Sequence, residues 1–316
     1  MSVPPYALLF PGQGSQHVEM GIDLIPEFPE AAQVFALADA VCGFSVTDLC
    51  THGPTERLTD TLYAQPAIVT TELAVLAALS SQITLSPAVV AGHSVGEYAA
   101  LGACGLLTPE ETLQCIVVRA QGMREAAQQH PGGMAAVLGL DHERVAQCCA
   151  QVTDGVVVAA NWNAPGQTVI SGEKDALVQA GALCKAAGAR RVLPLKVSGG
   201  FHSVLMQSAA DQMQQALQAI TPAVPRWTMS WNVLGRVATG DDPEPRSLMV
   251  SQITQSVLWQ QQLEEMWSRG VRLFVELGPG EVLSGLVART LPDAETVRAL
   301  TVDEVRHVAR RLGGGS

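Results

Sequence analysis

The stretch AVVAGHSVGEYAA, residues 88–100, passes from a strand pattern through a glycine turn into a helix pattern. Val89 and Val90 suit a buried strand, and the residues from Glu97 onward favour a helix. Between them, Ser94 stands on a tight turn whose flanking glycines let backbone segments approach closely. This layout is typical of a nucleophile elbow, in which a serine hydroxyl faces the N-terminus of the following helix. Ser94 is therefore the candidate nucleophile.

A chance match to the G-x-S-x-G pattern is the alternative for Ser94, because the chain contains 29 glycines. The pattern alone is weak, and it gains meaning only with a strand before the serine and a helix after it. Residues 88–100 supply both patterns in that order. The context therefore favours the nucleophile over a chance match.

The composition predicts a globular protein with a large core. The chain has 316 residues, of which 47% are hydrophobic and 16% charged, enough for one large domain or a large domain that carries a smaller one. No apolar run reaches the roughly 18 residues that a membrane-spanning helix needs. The first residues, MSVPPYALLFPG, also lack the basic segment of a signal peptide. We therefore expect a cytoplasmic protein with no membrane partner.

Charge and cysteine usage exclude further classes of function. A net charge of −11 argues against nucleic acid as a partner, because its phosphates would be repelled. The seven cysteines form no C-x-x-C pair and lie in apolar segments, which predicts reduced core thiols and no metal site. They are Cys42, Cys50, Cys104, Cys115, Cys148, Cys149 and Cys184.

Near the start of the chain, a second strand pattern leads into a glycine loop. Tyr6–Phe10 is wholly apolar and is followed by PGQGSQ at residues 11–16. Two glycines in such a loop can expose backbone N–H groups to an anion. The pattern lacks the further residues of a dinucleotide or phosphate loop. A plain turn and an anion-binding loop both remain open from these residues.

Arg119 is out of place in its helix. A Thr108–Pro109 cap predicts a helix that runs to about Ala127, and in it Arg119 follows the apolar residues 116–118. Either a buried structural salt bridge or a ligand contact would explain a charge in this position. The residues alone slightly favour the salt bridge.

The middle of the chain has the pattern of an inserted small domain. Residues 132–197 read as strand, helix, strand, strand, helix, strand, which is the ferredoxin-like βαββαβ order. Glycine-rich segments border it on both sides. We predict an α/β protein with a large parallel-sheet domain at 1–131 and 198–312, the small domain at 132–197, and a flexible tail at 313–316.

His202 is the histidine best placed to act as a base. It follows Gly199–Gly200 where the chain leaves the small domain, and a helix pattern begins at Val204. His93 adjoins Ser94, but neighbouring residues at a strand end point to opposite sides. A purely structural histidine is the alternative for His202.

Together these landmarks resemble the malonyl-CoA:acyl carrier protein transacylase family over nearly the whole chain. The matching stretches are FPGQGSQ (10–16), GHSVGEYAA (92–100), VVRAQGM (117–123), NWNAPGQTVISG (161–172), GGFHS (199–203) and ELGPG (276–280). The number and order of these stretches are more specific than any single motif. The resemblance implies an α/β-hydrolase-like large domain with parallel sheet and an inserted ferredoxin-like small domain.

The resemblance also implies roles for particular residues. Ser94 would be the nucleophile and His202 the general acid and base, oriented by a backbone carbonyl at Gln252. The backbone N–H groups of Gln13 and Val95 would form the oxyanion hole. Arg119 would bind the free carboxylate of a malonyl group, for which a planar guanidinium is suited.

Phe201 resembles the phenylalanine of malonyl-selective members of the family, where it leaves no room for an α-branch. The Gly199–Gly200 pair and Val95 depart from the commoner residues at these positions. The exact acyl preference is therefore not implied by the resemblance.

The activity implied is transfer of malonyl from malonyl-CoA to the phosphopantetheine thiol of an acyl carrier protein, by a monomer that needs no cofactor. A proofreading acyl hydrolase of polyketide assembly lines is the alternative on the same fold, although it would not need Arg119. A catalytically silent docking module is disfavoured by intact Ser94 and His202. An acidic carrier protein would require a local basic patch, for which the candidates are Lys185, Arg190, Arg191 and Lys196.

Overall fold

The computed structural model describes residues 3–314, which form ten strands and fourteen α-helices. The strands are β1 Tyr6–Phe10, β2 Val89–Gly92, β3 Gly132–Leu138, β4 Val157–Ala164, β5 Gln167–Glu173, β6 Arg191–Pro194, β7 Ser230–Trp231, β8 Arg236–Val237, β9 Leu273–Leu277 and β10 Glu295–Ala299. The helices are α1 Leu24–Glu27, α2 Pro29–Val41, α3 Val46–His52, α4 Thr55–Thr59, α5 Thr61–Gln82, α6 Gly96–Cys104, α7 Pro109–Gln129, α8 His142–Ala150, α9 Lys174–Ala186, α10 Gln207–Ala216, α11 Pro245–Thr254, α12 Trp259–Ser268, α13 Val282–Thr290 and α14 Val302–Leu312.

A parallel sheet of order β10-β9-β1-β2 forms the centre of the large domain. Alternate side chains of a strand point to opposite faces, and here both faces are covered. Leu8 and Phe10 pack into a core that includes α2 and α5. Ala7 and Leu9 pack into a second core that includes α12 and α13. Burial on both faces explains why β1 reads as an unbroken apolar run.

The small domain is an antiparallel sheet of order β4-β5-β3-β6. Helices α8 and α9 pack on one face of it around a separate apolar core. Strand order and connectivity are those of a ferredoxin-like βαββαβ fold, so the predicted fold class is confirmed. One bridge, Asn161 to Val257, ties this sheet to the large domain, and another joins Pro131 to Gly199 where the chain enters and leaves the small domain.

Helix α5 is a long core helix. Within residues 3–314, it is the single unbroken helix that is long and apolar enough to cross a membrane, with a window of mean hydropathy 1.4. Helices α2 and α3 pass the same test only as a pair bent by 112°. The sequence prediction concerned an unbroken apolar run of about 18 residues, and α5 contains none, because Gln65, Thr70 and Glu72 interrupt it. Of that window, 83% is buried inside the fold, which is typical of a helix in a protein core.

The helix predicted from Val204 differs from the structure. It consists of α10 with a 3₁₀ turn on either side, Val204–Met206 and Leu217–Ala219. In the tail predicted at 313–316, Gly315 and Ser316 lie outside the described residues.

The turn after β2 is closed by direct contact between backbone segments. A β-carbon on Gly92 would lie 2.0 Å from backbone atoms of Gly96, and one on Gly96 would lie 2.2 Å from the carbonyl oxygen of Phe10. Ser94 between them adopts φ +52°, a left-handed conformation that costs a non-glycine residue about 1–3 kcal/mol. Only glycine at both flanking positions permits this turn.

We expect Gly96→Ala to lower the free energy of unfolding by about 3 kcal/mol or more, because the added methyl group overlaps the backbone of β1. Urea unfolding followed by circular dichroism measures this. Gly285→Ala on α13 is the control, since nothing lies within 4 Å of its β-carbon. It should raise the stability by about 0.5–1 kcal/mol. Native stability of Gly96→Ala would contradict the close packing of the turn.

Candidate active site

The structure brings Ser94 and His202 together, although 108 residues of chain separate them. Ser94 Oγ and His202 Nε2 are 2.7 Å apart. Nδ1 of His202 lies 2.9 Å from the backbone carbonyl oxygen of Gln252. Because a carbonyl can only accept, Nδ1 carries the proton and donates it. Nε2 is then free to accept a hydrogen bond from the hydroxyl of Ser94.

The imidazole of His202 is held in its neutral form. Its side chain is buried, and burial lowers its pKa to about 3, with the nearby positive charge of Arg119 as the second cause. The bond to the Gln252 carbonyl acts in the opposite direction but is weaker. A neutral imidazole beside a serine hydroxyl is the state required of a general base.

Arg119 is a buried cation beside Ser94. It is 1% exposed, and its Nη2 donates to Ser94 Oγ at 3.2 Å. Two uncharged amides accept its other hydrogen bonds, Gln65 at 2.6 Å from Nη1 and Gln252 at 3.1 Å from Nη2. Its Nε has no hydrogen-bond partner among the residues that the structure describes. The ring of Tyr98 lies 5.5 Å from its guanidinium carbon.

No carboxylate among residues 3–314 lies within 4.0 Å of the Arg119 guanidinium. The structural salt bridge considered from the sequence is therefore not formed. An uncompensated buried charge is costly, and burial accordingly lowers the pKa of Arg119. The arrangement leaves a cation beside Ser94 available to an anionic ligand.

Two backbone N–H groups near Ser94 have no acceptor among the described residues, and they belong to Gln13 and Val95. Gln13 lies in the loop after β1, and Val95 precedes the first turn of α6. The N–H groups of the neighbouring residues already have acceptors. Gly14 donates to the side chain of Gln16, and Ser94 donates to the side chain of Asn232. Free donors at a helix N-terminus are suited to a developing oxyanion.

These groups open into a cleft of about 450 Å³ between the two domains. Its inner wall carries apolar side chains that include Met123, Met134 and Phe201, and Lys196 lies at the wall formed by the small domain. Phe201 is 5% exposed and directly precedes His202. The cleft can therefore hold a short acyl group between Ser94, Arg119 and an apolar wall.

The four basic residues predicted to form one patch do not line a common cavity. Lys196 lines the cleft, whereas Arg190 and Arg191 line a separate pocket of about 290 Å³ with Leu138 and Arg289. Lys185 is exposed in the last turn of α9 and lines neither. That the four residues form one docking surface stays a prediction.

Sequence reasoning missed several polar residues of the site. Gln65 lies in the apolar pattern of α5, and Asn232 follows an apolar run, so neither carries a recognisable motif. Oδ1 of Asn163, on β4, lies 2.8 Å from Nε2 of His93. This contact uses the His93 ring nitrogen away from Ser94. The available signal for these residues was a glutamine or asparagine inside an otherwise apolar run, because a buried amide needs hydrogen-bond partners.

Glu97, in the first turn of α6, is a further buried group of the site. It is 1% exposed, and its Oε2 accepts the backbone N–H of Asn232 at 2.6 Å. Burial raises its pKa to about 8, against smaller opposing effects of that hydrogen bond and of Arg119. At neutral pH the folded protein therefore keeps a proton on Glu97 that an unfolded chain releases.

The free energy of unfolding should fall as the pH rises from 4.5 towards 8, because in this window the folded state binds a proton at Glu97 and the unfolded state does not. Glu97→Gln cannot release this proton, so its stability should depend less steeply on pH. Urea unfolding at several pH values measures both slopes. Glu30→Gln, at an exposed position of α2, is the control and should keep the native slope. Parallel curves for native protein and Glu97→Gln would mean that Glu97 is ionised throughout.

Comparison with known proteins gives one family. The family model of the acyl transferase domain matches residues 7–306 of the sequence. The malonyl CoA-acyl carrier protein transacylase of Escherichia coli (strain K12) is 39% identical over 308 residues, which cover 97% of this chain and 98% of that protein. Its counterpart from Coxiella burnetii has a structure with TM-score 0.93 and 33% identity, covering 99% of both chains. A type II PKS acyl-carrier protein in complex with its malonyl-transacylase gives TM-score 0.90 at 34% identity, covering 98% of this chain and 100% of that one. The chain therefore belongs to the acyl transferase domain family.

Proposed function

We propose that this protein transfers the malonyl group of malonyl-CoA to the phosphopantetheine thiol of an acyl carrier protein, through an ester on Ser94. The observation that carries the proposal is the buried guanidinium of Arg119, which has no carboxylate partner within residues 3–314 and lies 3.2 Å from Ser94 Oγ. The names of the relatives, transacylases acting on malonyl CoA and acyl carrier protein, support the same substrates.

In the first half of the reaction, Nε2 of His202 takes the proton of Ser94 as Oγ attacks the thioester carbon. The carbonyl oxygen becomes an oxyanion that the N–H groups of Gln13 and Val95 can bind. When the tetrahedral intermediate collapses, the carbon–sulfur bond breaks. His202 then returns the proton to the departing thiolate of CoA, which leaves malonyl esterified to Ser94.

The second half repeats these steps in reverse order. The phosphopantetheine thiol gives its proton to His202 and attacks the ester, and the proton passes to Ser94 Oγ as the new thioester leaves. All groups needed for this chemistry are side chains and backbone amides of the chain. We therefore propose that the reaction needs no metal or redox cofactor. We also propose that the protein acts as a monomer and that it is cytoplasmic.

Arg119 distinguishes the proposed function from its rivals. A malonyl group carries a carboxylate two bonds from the thioester carbon, and a guanidinium beside Ser94 would hold that carboxylate during attack. A proofreading hydrolase of simple acyl groups has no use for a buried cation at this position. A silent docking module has no use for Ser94 and His202 at hydrogen-bonding distance.

Phe201 is the proposed limit on the acyl group. Its ring packs under the loop that carries His202, where a β-carbon on Gly199 would lie 2.9 Å from it. A large, buried aromatic side chain at the wall of the cleft leaves little room for a branch on the acyl chain. We propose that this contact favours malonyl over α-branched dicarboxylic acyl groups.

The carrier protein is proposed to dock beside the arginine pocket, formed by Arg190, Arg191 and Arg289. None of the three arginines has a carboxylate within 4.0 Å among the described residues. Arg289 lies one turn of α13 beyond Leu286, which lines the active-site cleft, so the pocket lies near the cleft. In a chain of net charge −11, this is a local basic surface for an acidic partner.

Arg119→Ala should lose malonyl loading and gain in relative acetyl loading. A charge-assisted, bidentate contact is worth about 1.5–3 kcal/mol, or roughly a ten- to hundredfold preference for malonyl. The measurement is kcat/KM for loading from malonyl-CoA and acetyl-CoA, followed by intact mass. Ser94→Ala should form no adduct, and Arg124→Ala, a half-exposed arginine of the same helix, should keep the native preference.

The rate at which the acyl-enzyme is hydrolysed without carrier protein distinguishes a transacylase from a proofreading hydrolase. If native protein shows no malonyl preference and hydrolyses its acyl-serine as fast as it forms, the hydrolase is the right assignment.

Reversal of charge in the arginine pocket should weaken carrier binding alone. We expect Arg190→Glu with Arg191→Glu to raise the KM for the carrier protein about tenfold, because complementary rim charges steer association. Loading of Ser94 from malonyl-CoA should stay at the native rate. Lys185→Glu is the matched control, since this exposed lysine lies outside the pocket. Equal effects on both half-reactions would contradict the docking surface.

A further inference from the structure

We propose that Asn232 is a positioning residue that holds Ser94 in its strained, reactive conformation; this rests on the proposed role of Ser94 as nucleophile. Ser94 has φ +52°, so the turn requires restraints outside itself. The side-chain oxygen of Asn232 accepts the backbone N–H of Ser94 at 2.8 Å. On the other side, the side chain of Gln252 donates to the Ser94 carbonyl at 2.7 Å.

The orientation of the Asn232 amide is fixed by its other partners. Its Nδ2 donates to the carbonyl of Gly92 at 2.7 Å and to the side-chain oxygen of Gln262 at 3.1 Å. Gln262 is itself oriented, because its Nε2 donates to the hydroxyl of Ser230 at 2.9 Å. A flipped amide would set Nδ2 against the N–H of Ser94 and Oδ1 against two acceptors. The amide therefore has a single satisfied orientation.

The backbone of Asn232 is held as firmly as its side chain. Its N–H donates to Glu97 at 2.6 Å, and both residues are buried, with Asn232 at 0% exposure. Asn232 thus connects the strand end at Gly92, the turn at Ser94 and the first turn of α6. Its side-chain oxygen also accepts from Nε2 of Gln252 at 3.3 Å, so every polar group of the side chain is satisfied inside the protein.

This connection has a direct consequence for chemistry at Ser94. Because Asn232 occupies the N–H of Ser94, the N–H of Val95 is the donor of this turn left for an oxyanion. Without the bond, the turn can relax from its left-handed conformation and carry Oγ away from His202. A displacement of this kind can cost about a hundredfold in rate while substrate binding is unchanged. Asn232 does not line the cleft, so its loss should lower kcat and leave KM unaltered.

Two substitutions separate positioning from a merely structural role. At every pH, Asn232→Leu removes the hydrogen bond from the N–H of Ser94 and the hydrogen bonds to Gly92 and Gln262. Asn232→Asp retains them only while protonated, since its carbonyl oxygen can accept from Ser94 and its O–H can donate to Gly92. Once ionised, it has no donor left and faces the oxygens of Gly92 and Gln262. Glu97 on α6 is the titratable group in contact with this position, and Arg119 on α7 and His202 lie beyond Gln252.

The experiment measures the reactivity of Ser94 in native protein and in both variants from pH 5.5 to 8.5. The readouts are labelling by a fluorophosphonate probe, which needs only an activated serine, and loading from malonyl-CoA with kcat and KM separated. Circular dichroism at each pH gives the folded fraction, to which the rates are normalised. The rate of each variant is divided by the rate of native protein at the same pH, which removes the pH dependence that both proteins share.

We expect Asn232→Leu to be labelled about a hundredfold more slowly than native protein at every pH, with KM unchanged. Asn232→Asp should approach the native rate at pH 5.5 and lose it as the pH rises. The proposal is overturned if Asn232→Leu reacts at the native rate, or if the rates of both variants follow only their folded fractions. Native protein that reacts with the probe and takes no malonyl would instead refute the proposed function and leave the role of Asn232 standing.

Discussion

The unpaired positive charge of Arg119 is the constraint on which the rest of the site depends. Its guanidinium is held by the neutral amides of Gln65 and Gln252 and is buried, with no carboxylate partner in the described part of the chain. Glu97 is near enough to influence it, yet burial raises the pKa of that carboxyl to about 8. Two amides position the cation without neutralising it. A buried charge kept in this way is compensated only when an anion arrives.

Local sequence patterns predicted the framework of the site well. Ser94 could be found because a strand, a glycine turn and a helix follow one another within residues 88–100, and this turn needs no distant partner to be recognised. Strands β1 and β2 are parallel neighbours, so the loop after β1 and the turn after β2 meet at one edge of the sheet, as the family resemblance implied through Gln13 and Val95. His202 was found through the glycines before it, which mark the exit from the small domain.

Long-range polar contacts could not be predicted from these patterns. The carbonyl of Gln252 that orients His202 is a backbone group, and a backbone group leaves no signature in the residue type. Asn232 lies 138 residues from Ser94, and one asparagine at a strand end is as typical of a turn as of a buried network. The basic patch stays a prediction for a related reason. Nearness in sequence of Lys185 and Arg190 does not fix which surface each side chain faces.

Charge also links substrate recognition to the strength of the base. The positive charge of Arg119 is one cause of the low pKa of His202, second to burial. In the proposed reaction, the carboxylate of a malonyl group would cancel that charge, and the pKa of His202 would rise towards its ordinary range. An imidazole with a higher pKa is a stronger base towards the hydroxyl of Ser94. An acyl group without a carboxylate would leave the cation uncompensated and the base weak, so selectivity would arise in the chemical step as well as in binding.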